Sequence, residues 1–251
     1  MKIYTYGIID SNISLEEPLT GLNGAPVHNI PYRDISMVIS TIDENNEEMT
    51  NTHAIEHHKV VEILMKRFTL LPVKFRSIFN KDQAISIMEN FYSDIRDNID
   101  RLRNKEEFGI KVIWSGEKIK EQIIRDQCRN NPVLLEESES QGRRFIEEVF
   151  KDYVIDKEFR EKADICVAIV DNFLCKYVTE KRLEKLKNND LLLNAFYLVE
   201  RGKEKGFKEA FEVLKLAPGN FRYICSGPYP PYNFIKWSDP EACKQSGEKV
   251  L

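Results

Sequence analysis

At 251 residues, with 42% hydrophobic and 31% charged side chains, the chain can bury one large core or two modest ones. Its formal charge of -4, with 37 basic and 41 acidic residues interspersed, leaves no cationic footprint for nucleic acid. No apolar run approaches the roughly 20 residues of a membrane-crossing helix, and Met1–Tyr6 begins as a strand pattern rather than a secretory leader. Cys128, Cys166, Cys175, Cys225 and Cys243 include no Cys-x-x-Cys pair, so free thiols in a reducing cytoplasm are expected, not a zinc ribbon or a disulfide framework.

In chain order, Ile3–Ile9 alternates as a central strand, with Gly7 marking the close approach of a second backbone. Residues 10–26 are turn-rich, and Val27–Ile30 and Ile35–Ile42 read as further strands. Thr52 is placed to cap a helix running to about Phe68, with Ile55, Val61, Leu64 and Phe68 on its inner face. Within Leu70–Phe79 a strand is expected, Val73, Phe75 and Ser77 sharing a face. Asn80 and Gln83 form a capping-box pattern that opens one helix, with Ile85, Met88, Phe91, Ile95, Ile99 and Leu102 as its apolar stripe. Phe108–Trp114 closes this half as a strand.

From 115 to about 187 the chain reads as helical. The expected pieces span about 116–129, a second helix from near Ser140, and a third with Phe159, Ala163, Cys166, Val170, Phe173, Leu174 and Tyr177 as its stripe. Leu191–Glu200 is a strand, Lys203–Leu216 a helix, and Gly219–Ser226 the last strand, halted by Gly227-Pro228 because proline has no N–H to donate. The strand–helix–strand at the end favours a right-handed crossover and parallel pairing. The expected fold class is α+β in two domains, 1–114 and a helix-rich 115–235, each with ferredoxin-like (split βαβ) elements and additional helices. Residues 236–251 read as a flexible polar tail.

Little in the chain points to chemistry. His53 and His57 lie one turn apart on a helix face, a spacing that can hold zinc, but no third ligand or His-Glu-x-x-His order accompanies them and His58 points away. Ordinary helix-face histidines are therefore expected. Phosphate-cradling glycine loops and Gly-x-Ser-x-Gly elbows are absent, and pairs such as Glu136-Glu137 and Glu147-Glu148 read as solvated faces. No catalytic residue, cofactor or metal is expected. The alternative from another functional class is a small-molecule sensor or enzyme with its ligand between paired ferredoxin-like domains.

The closing stretch Gly227-Pro228-Tyr229-Pro230-Pro231-Tyr232-Asn233-Phe234 is the most distinctive. Its prolines favour a stiff, extended exit that holds Tyr229, Tyr232 and Phe234 on a short rod, available either for packing on the chain's own domain or for a partner. Together with Tyr4-Thr5-Tyr6-Gly7-Ile8-Ile9 at the start, and with Glu56-His57, Val60-Val61-Glu62 and Leu71–Phe79 in the middle, it resembles the gas vesicle protein L/F family (GvpL/GvpF), whose motifs stand in the same order. Arg76 stands where that family usually has glycine, and Tyr229 where tryptophan is common. The resemblance implies a non-catalytic accessory or minor structural protein of gas vesicle formation. Such a protein would be cytoplasmic and vesicle-associated, binding the hydrophobic shell protein and other accessory proteins. Tyr229, Tyr232, Phe234, Val73, Phe75 and Arg76 are the expected partner contacts.

Overall fold

A computed structural model describes residues 2–15, 18–42, 49–130, 141–217 and 219–238, and contacts divide the chain into two compact units. Met1–Glu107 with Pro228–Leu251 form the first, and Phe108–Gly227 the second. The sequence expectation placed its boundaries at 114 and 235; these units divide within two strands, at 107/108 and at 227/228.

The first unit is built on β1 (Lys2–Ile9), β2 (Leu19–Thr20), β3 (Pro26–Tyr32), β4 (Ile35–Ile42) and β5 (Leu70–Pro72), in sheet order β2-β3-β4-β1-β5, with β6 (Ile78–Phe79) also pairing β1. All of the described pairings of β1 are antiparallel, and a register shift between Thr5 and Gly7 turns its side chains over. Gly7 lacks a side chain for the expected reason: a Cβ there would lie 2.7 Å from the Leu71 carbonyl oxygen on β5.

Helix α1 (Asn51–Arg67) packs Val60, Val61, Leu64 and Met65 onto Tyr4, Tyr6 and Ile9, while α2 (Lys81–Asn90) and α3 (Tyr92–Leu102) pack on β3 and β5. The cap of α1 is Thr50, two residues before the expected Thr52, and Ile55 is 58% exposed instead of inward. The buried face is rotated because it takes in both His53 and His57, whose side chains find polar partners inside. Asn80 and Gln83 do make the reciprocal capping box. The single helix expected after it is two, since Phe91 leaves the helical region (φ -109°, ψ 17°) and serves both α2 and α3 as their shared end. The single strand expected over Leu70–Phe79 is also two: Ser77 turns its N–H and hydroxyl back onto the Lys74 carbonyl, and Arg76 takes a left-handed φ of 76°.

The second unit carries a four-stranded sheet in the order β10-β7-β9-β8, formed by β7 (Lys105–Ile113), β8 (Val178–Lys185), β9 (Leu191–Glu200) and β10 (Arg222–Tyr229). One face packs Phe108, Ile110, Val112, Tyr197 and Val199 beneath α4 (Gly116–Asn130), α5 (Gln141–Leu174) and α6 (Glu204–Leu214). The second and third helices expected here are one, α5; the sequence Asn130-Asn131-Pro132 reads as a break, and of it α4 reaches Asn130, while Asn131, Pro132 and the start near Ser140 lie outside the described residues.

Three corrections concern this sheet. Val178–Lys185, read as the end of a helical region, is an edge strand antiparallel to β9; its Glu180, Lys181, Arg182, Glu184 and Lys185 hide the apolar alternation that signals a strand. β9 and β10 do not pair, because β7 lies between them. β10 runs through Gly227-Pro228 to Tyr229, which an edge strand permits because only one of its sides needs donors.

Candidate functional site

Two hydrogen-bonded chains run beneath one surface of the first unit. In one, the Leu22 N–H donates to the Tyr6 hydroxyl (3.0 Å), Tyr6 donates to Ser40 Oγ (3.0 Å), and Ser40 donates to the Pro26 carbonyl (3.1 Å). The hydroxyl is met so closely that a Cβ on Gly21 would fall 2.0 Å from it. In the other, the Arg76 backbone N–H donates to the Tyr4 hydroxyl, which is hydrogen-bonded to His57 Nδ1 at 2.7 Å. Burial raises the hydroxyl pKa of both tyrosines, so both remain neutral donors.

His57 is 5% exposed, stacked on Tyr6 with the ring centroids 5.7 Å apart, and edged by Tyr4 and Phe75. Its Nε2 is buried and has no hydrogen-bond partner among the described residues. Burial pulls its pKa down to about 4, with the neighbouring His58 adding to the effect. His53 does different work. Its Nδ1 accepts the Thr50 N–H (3.0 Å), standing where a glutamate usually closes a capping box, and its Nε2–H therefore donates to Asn23 Oδ1 (3.0 Å). Both histidines are spent inside the fold, and among the described residues no group of three His, Cys, Asp or Glu side chains could hold a metal ion.

Above this network lie the residues singled out from the sequence. Val73 is buried; Phe75 is half-buried, and Arg76 is exposed, its guanidinium 5.6 Å from the Phe75 ring and hydrogen-bonded to the Met49 carbonyl at 2.9 Å. The φ of 76° at Arg76 gives a physical reason for glycine at that place, because left-handed backbone costs glycine nothing.

The closing stretch is not an extended rod. Pro231 leaves the polyproline region (ψ 63°), and Tyr232–Phe234 form a 3-10 turn that folds onto α3. Glu107, itself buried, accepts both the Asn233 backbone N–H (2.8 Å) and its side-chain amide (2.6 Å). Arg101 donates to the Phe234 carbonyl, Asn98 both donates to and accepts from the Lys236 backbone, and Asp94 accepts from Ser238. Asp94, Asn98 and Arg101 share one face of α3, so this helix holds Phe234–Ser238 while Glu107 of β7 holds Asn233. The first residues of the expected tail, Lys236–Ser238, are thus tied down, with Trp237 edge-on to Phe91; residues 239–251 lie outside those described. The α3 clasp escaped the sequence reading, and its signal was the polar trio at i, i+4 and i+7.

Phe234 is buried, and Tyr229 is half-buried with its ring edge-on to His58 (6.2 Å). Tyr232 is 38% exposed, while burial of its hydroxyl, with the Glu107 charge adding, pushes its pKa up to about 12. Tyr232 is also close enough to Tyr4 to raise the Tyr4 pKa further. The structure therefore gathers Tyr4, Tyr6, His57, Phe75, Arg76, Tyr229 and Tyr232 in the first unit, although they come from opposite ends of the chain.

The family model described as gas vesicle synthesis protein GvpL/GvpF matches residues 2–236. Gas vesicle protein F1 of Halobacterium salinarum is 24% identical over 239 residues, covering 93% of this chain and 92% of the relative. Gas vesicle protein F of Haloferax mediterranei is 24% identical over 240 residues, with 93% of each chain covered. Among solved structures, GvpF from an Anabaena species superposes with a TM-score of 0.83 at 18% identity, covering 95% of this chain and 99% of that one. GvpF from Microcystis aeruginosa superposes with a TM-score of 0.78 at 19% identity, covering 94% and 99%. At these identities the structural likeness establishes the fold. No helix among the described residues is long and apolar enough to cross a membrane.

Proposed function

Because the chain belongs to the gas vesicle synthesis protein GvpL/GvpF family, we propose that it is a non-catalytic accessory or minor structural protein of gas vesicle formation. In this role it binds the hydrophobic shell protein and other accessory gas vesicle proteins during assembly, in the cytoplasm and in association with the vesicle. A soluble α+β protein can hold an apolar, strand-prone subunit by covering its surface until that subunit joins the shell. One observation supports the reading: residues of the three stretches that resemble the family meet in the first unit, with Tyr4, Tyr6 and His57 buried and Phe75, Arg76, Tyr229 and Tyr232 more open. Tyr232 and Arg76 are the exposed members, Phe75 and Tyr229 are half open, and Val73 and Phe234 fix their positions from beneath. Aromatic rings held by a rigid network are suited to such contact, since little side-chain freedom is lost on binding. Alongside this we read β9–α6–β10, with β7 between its strands, as a ferredoxin-like split βαβ element.

Co-expression with a gas vesicle shell protein tests the reading. Wild type is expected to keep shell protein soluble and to co-purify with it. Tyr232→Ala together with Arg76→Ala is expected to lose that capture while melting like wild type. Capture unchanged in the folded double variant would remove the surface from the interaction, and no capture by wild type would remove the shell protein as partner.

A further inference from the structure

The sheet of the second unit ends in two strands of opposite character. β8 presents Glu180, Lys181, Arg182, Glu184 and Lys185, and several of these are held in ion pairs, with Lys181 on Asp171 and Lys185 on Asp164 (2.6 Å). Charge of this kind keeps foreign strands off an edge. β10 has none after Arg222: Tyr223-Ile224-Cys225-Ser226-Gly227 is uncharged, and among the described residues β7 is its only neighbour in the sheet. Among the described residues, no backbone hydrogen bond outside the sheet engages residues 223–227. One side of this strand therefore offers its N–H and C=O groups.

Beside the start of β10 a cleft of about 310 Å³ opens between the sheet and α5. Val112 lies in it, Val170, Ile169 and Phe173 of α5 form one wall, and Phe221 and Tyr223 form the other. No charged side chain is among its described lining residues. Ile169 remains 45% exposed and Phe173 39%, so apolar surface faces water at the mouth.

An open strand edge with an apolar cleft between it and a helix supplies both parts of strand addition: main-chain bonds for affinity and a pocket that selects alternate side chains. We propose that β10 and this cleft form a docking groove for an extended, uncharged β-strand of a partner protein, which places one large aliphatic side chain in the cleft. Charge complementarity picks this occupant. A lysine or glutamate carried into the cleft would be desolvated with no counter-charge to meet it, whereas an uncharged side chain avoids that penalty. A second copy fits poorly: antiparallel self-pairing centred on Cys225 sets Arg222 opposite Pro228, which has no N–H to give. The groove is separate from the surface proposed on the first unit and stands or falls independently of it.

The test uses the full chain and a fluorescein-labelled, end-blocked peptide, Thr-Val-Thr-Leu-Thr-Val-Thr, followed by fluorescence anisotropy. Saturable binding is expected. It should weaken at least tenfold when the peptide leucine is replaced by lysine, and at least tenfold for Ile169→Lys or Phe173→Lys, variants at half-exposed positions that spare the core. Hydrogen exchange should show added peptide protecting amides in 223–227 and not those of β8. No saturation at millimolar peptide, unchanged affinity in folded Ile169→Lys, or protection confined to other segments would overturn the proposal. So would sedimentation showing that Ile169→Lys dissociates a wild-type dimer, since the groove would then hold a second copy.

Discussion

The two units keep tyrosines in their cores by opposite means. In the first, the hydroxyls of Tyr4 and Tyr6 are links in hydrogen-bonded chains that reach His57, Ser40 and three backbone segments. In the second, Tyr197 is fully buried among Phe108, Phe207 and aliphatic side chains, and its hydroxyl has no partner among the described residues. The Leu22–Tyr6–Ser40–Pro26 chain, with every link paired, fixes one arrangement, because every other arrangement strands a polar group. An apolar core tolerates many sequences of the right volume. The difference bears on why the three main family-like stretches lie almost wholly in the first unit, while weaker echoes at 107–112, 141–143 and 197–199 fall almost wholly in the second, which shows itself chiefly as periodicity.

The largest expected effect is at the exit of the chain. Phe234→Ala should destabilise the first unit by about 3–5 kcal/mol, as truncation of a buried aromatic does. Exchange rates of β1 and α3 amides would report it, and unchanged rates would detach the closing stretch from this core. Acid should also act through the first unit. The His57 pKa is about 4 in the fold, against 6.5 as its ordinary value, so below pH 6.5 the unfolded chain takes up a proton that the folded one refuses. The stability it contributes is complete above pH 6.5 and declines as pH falls towards 4, by up to about 3 kcal/mol. Urea midpoints across that range should fall in wild type, and this contribution should vanish in His57→Gln.

One substitution made in both units sharpens the contrast. Tyr6→Phe leaves the Leu22 N–H without its acceptor and should cost about 1–3 kcal/mol. Tyr197→Phe removes a hydroxyl that has nothing to bond and should be neutral or stabilising. Equal losses in denaturant melts would erase the distinction. The smallest effect is at Arg76→Gly, where relief of left-handed strain outweighs the lost Met49 contact, for a gain below about 1 kcal/mol in the same melts.

Legibility followed periodicity and local chemistry. β1 and β4 were plain because their β-branched, aromatic and aliphatic residues suit strands buried on both faces, β9 and α6 because their apolar positions recur at strand and helix spacing, and the Asn80–Gln83 box because a cap is local. β8 was hidden by its own surface charge, and the bend at Arg76 by a residue that seldom takes positive φ. The histidine spacing was visible, but not what the rings would meet, since Tyr4 and Asn23 reach them from 53 and 30 residues away. The same holds for the closing stretch: its prolines announced stiffness, while the buried Glu107 and the α3 trio that bend it back are long-range partners.

The most direct measurement is hydrogen exchange, read by mass spectrometry, on this protein free and in complex with a gas vesicle shell protein. The account predicts slowed exchange in 74–77 and 229–234, with β8 unchanged. A complex that forms while both of those segments exchange as they do in the free protein would contradict it.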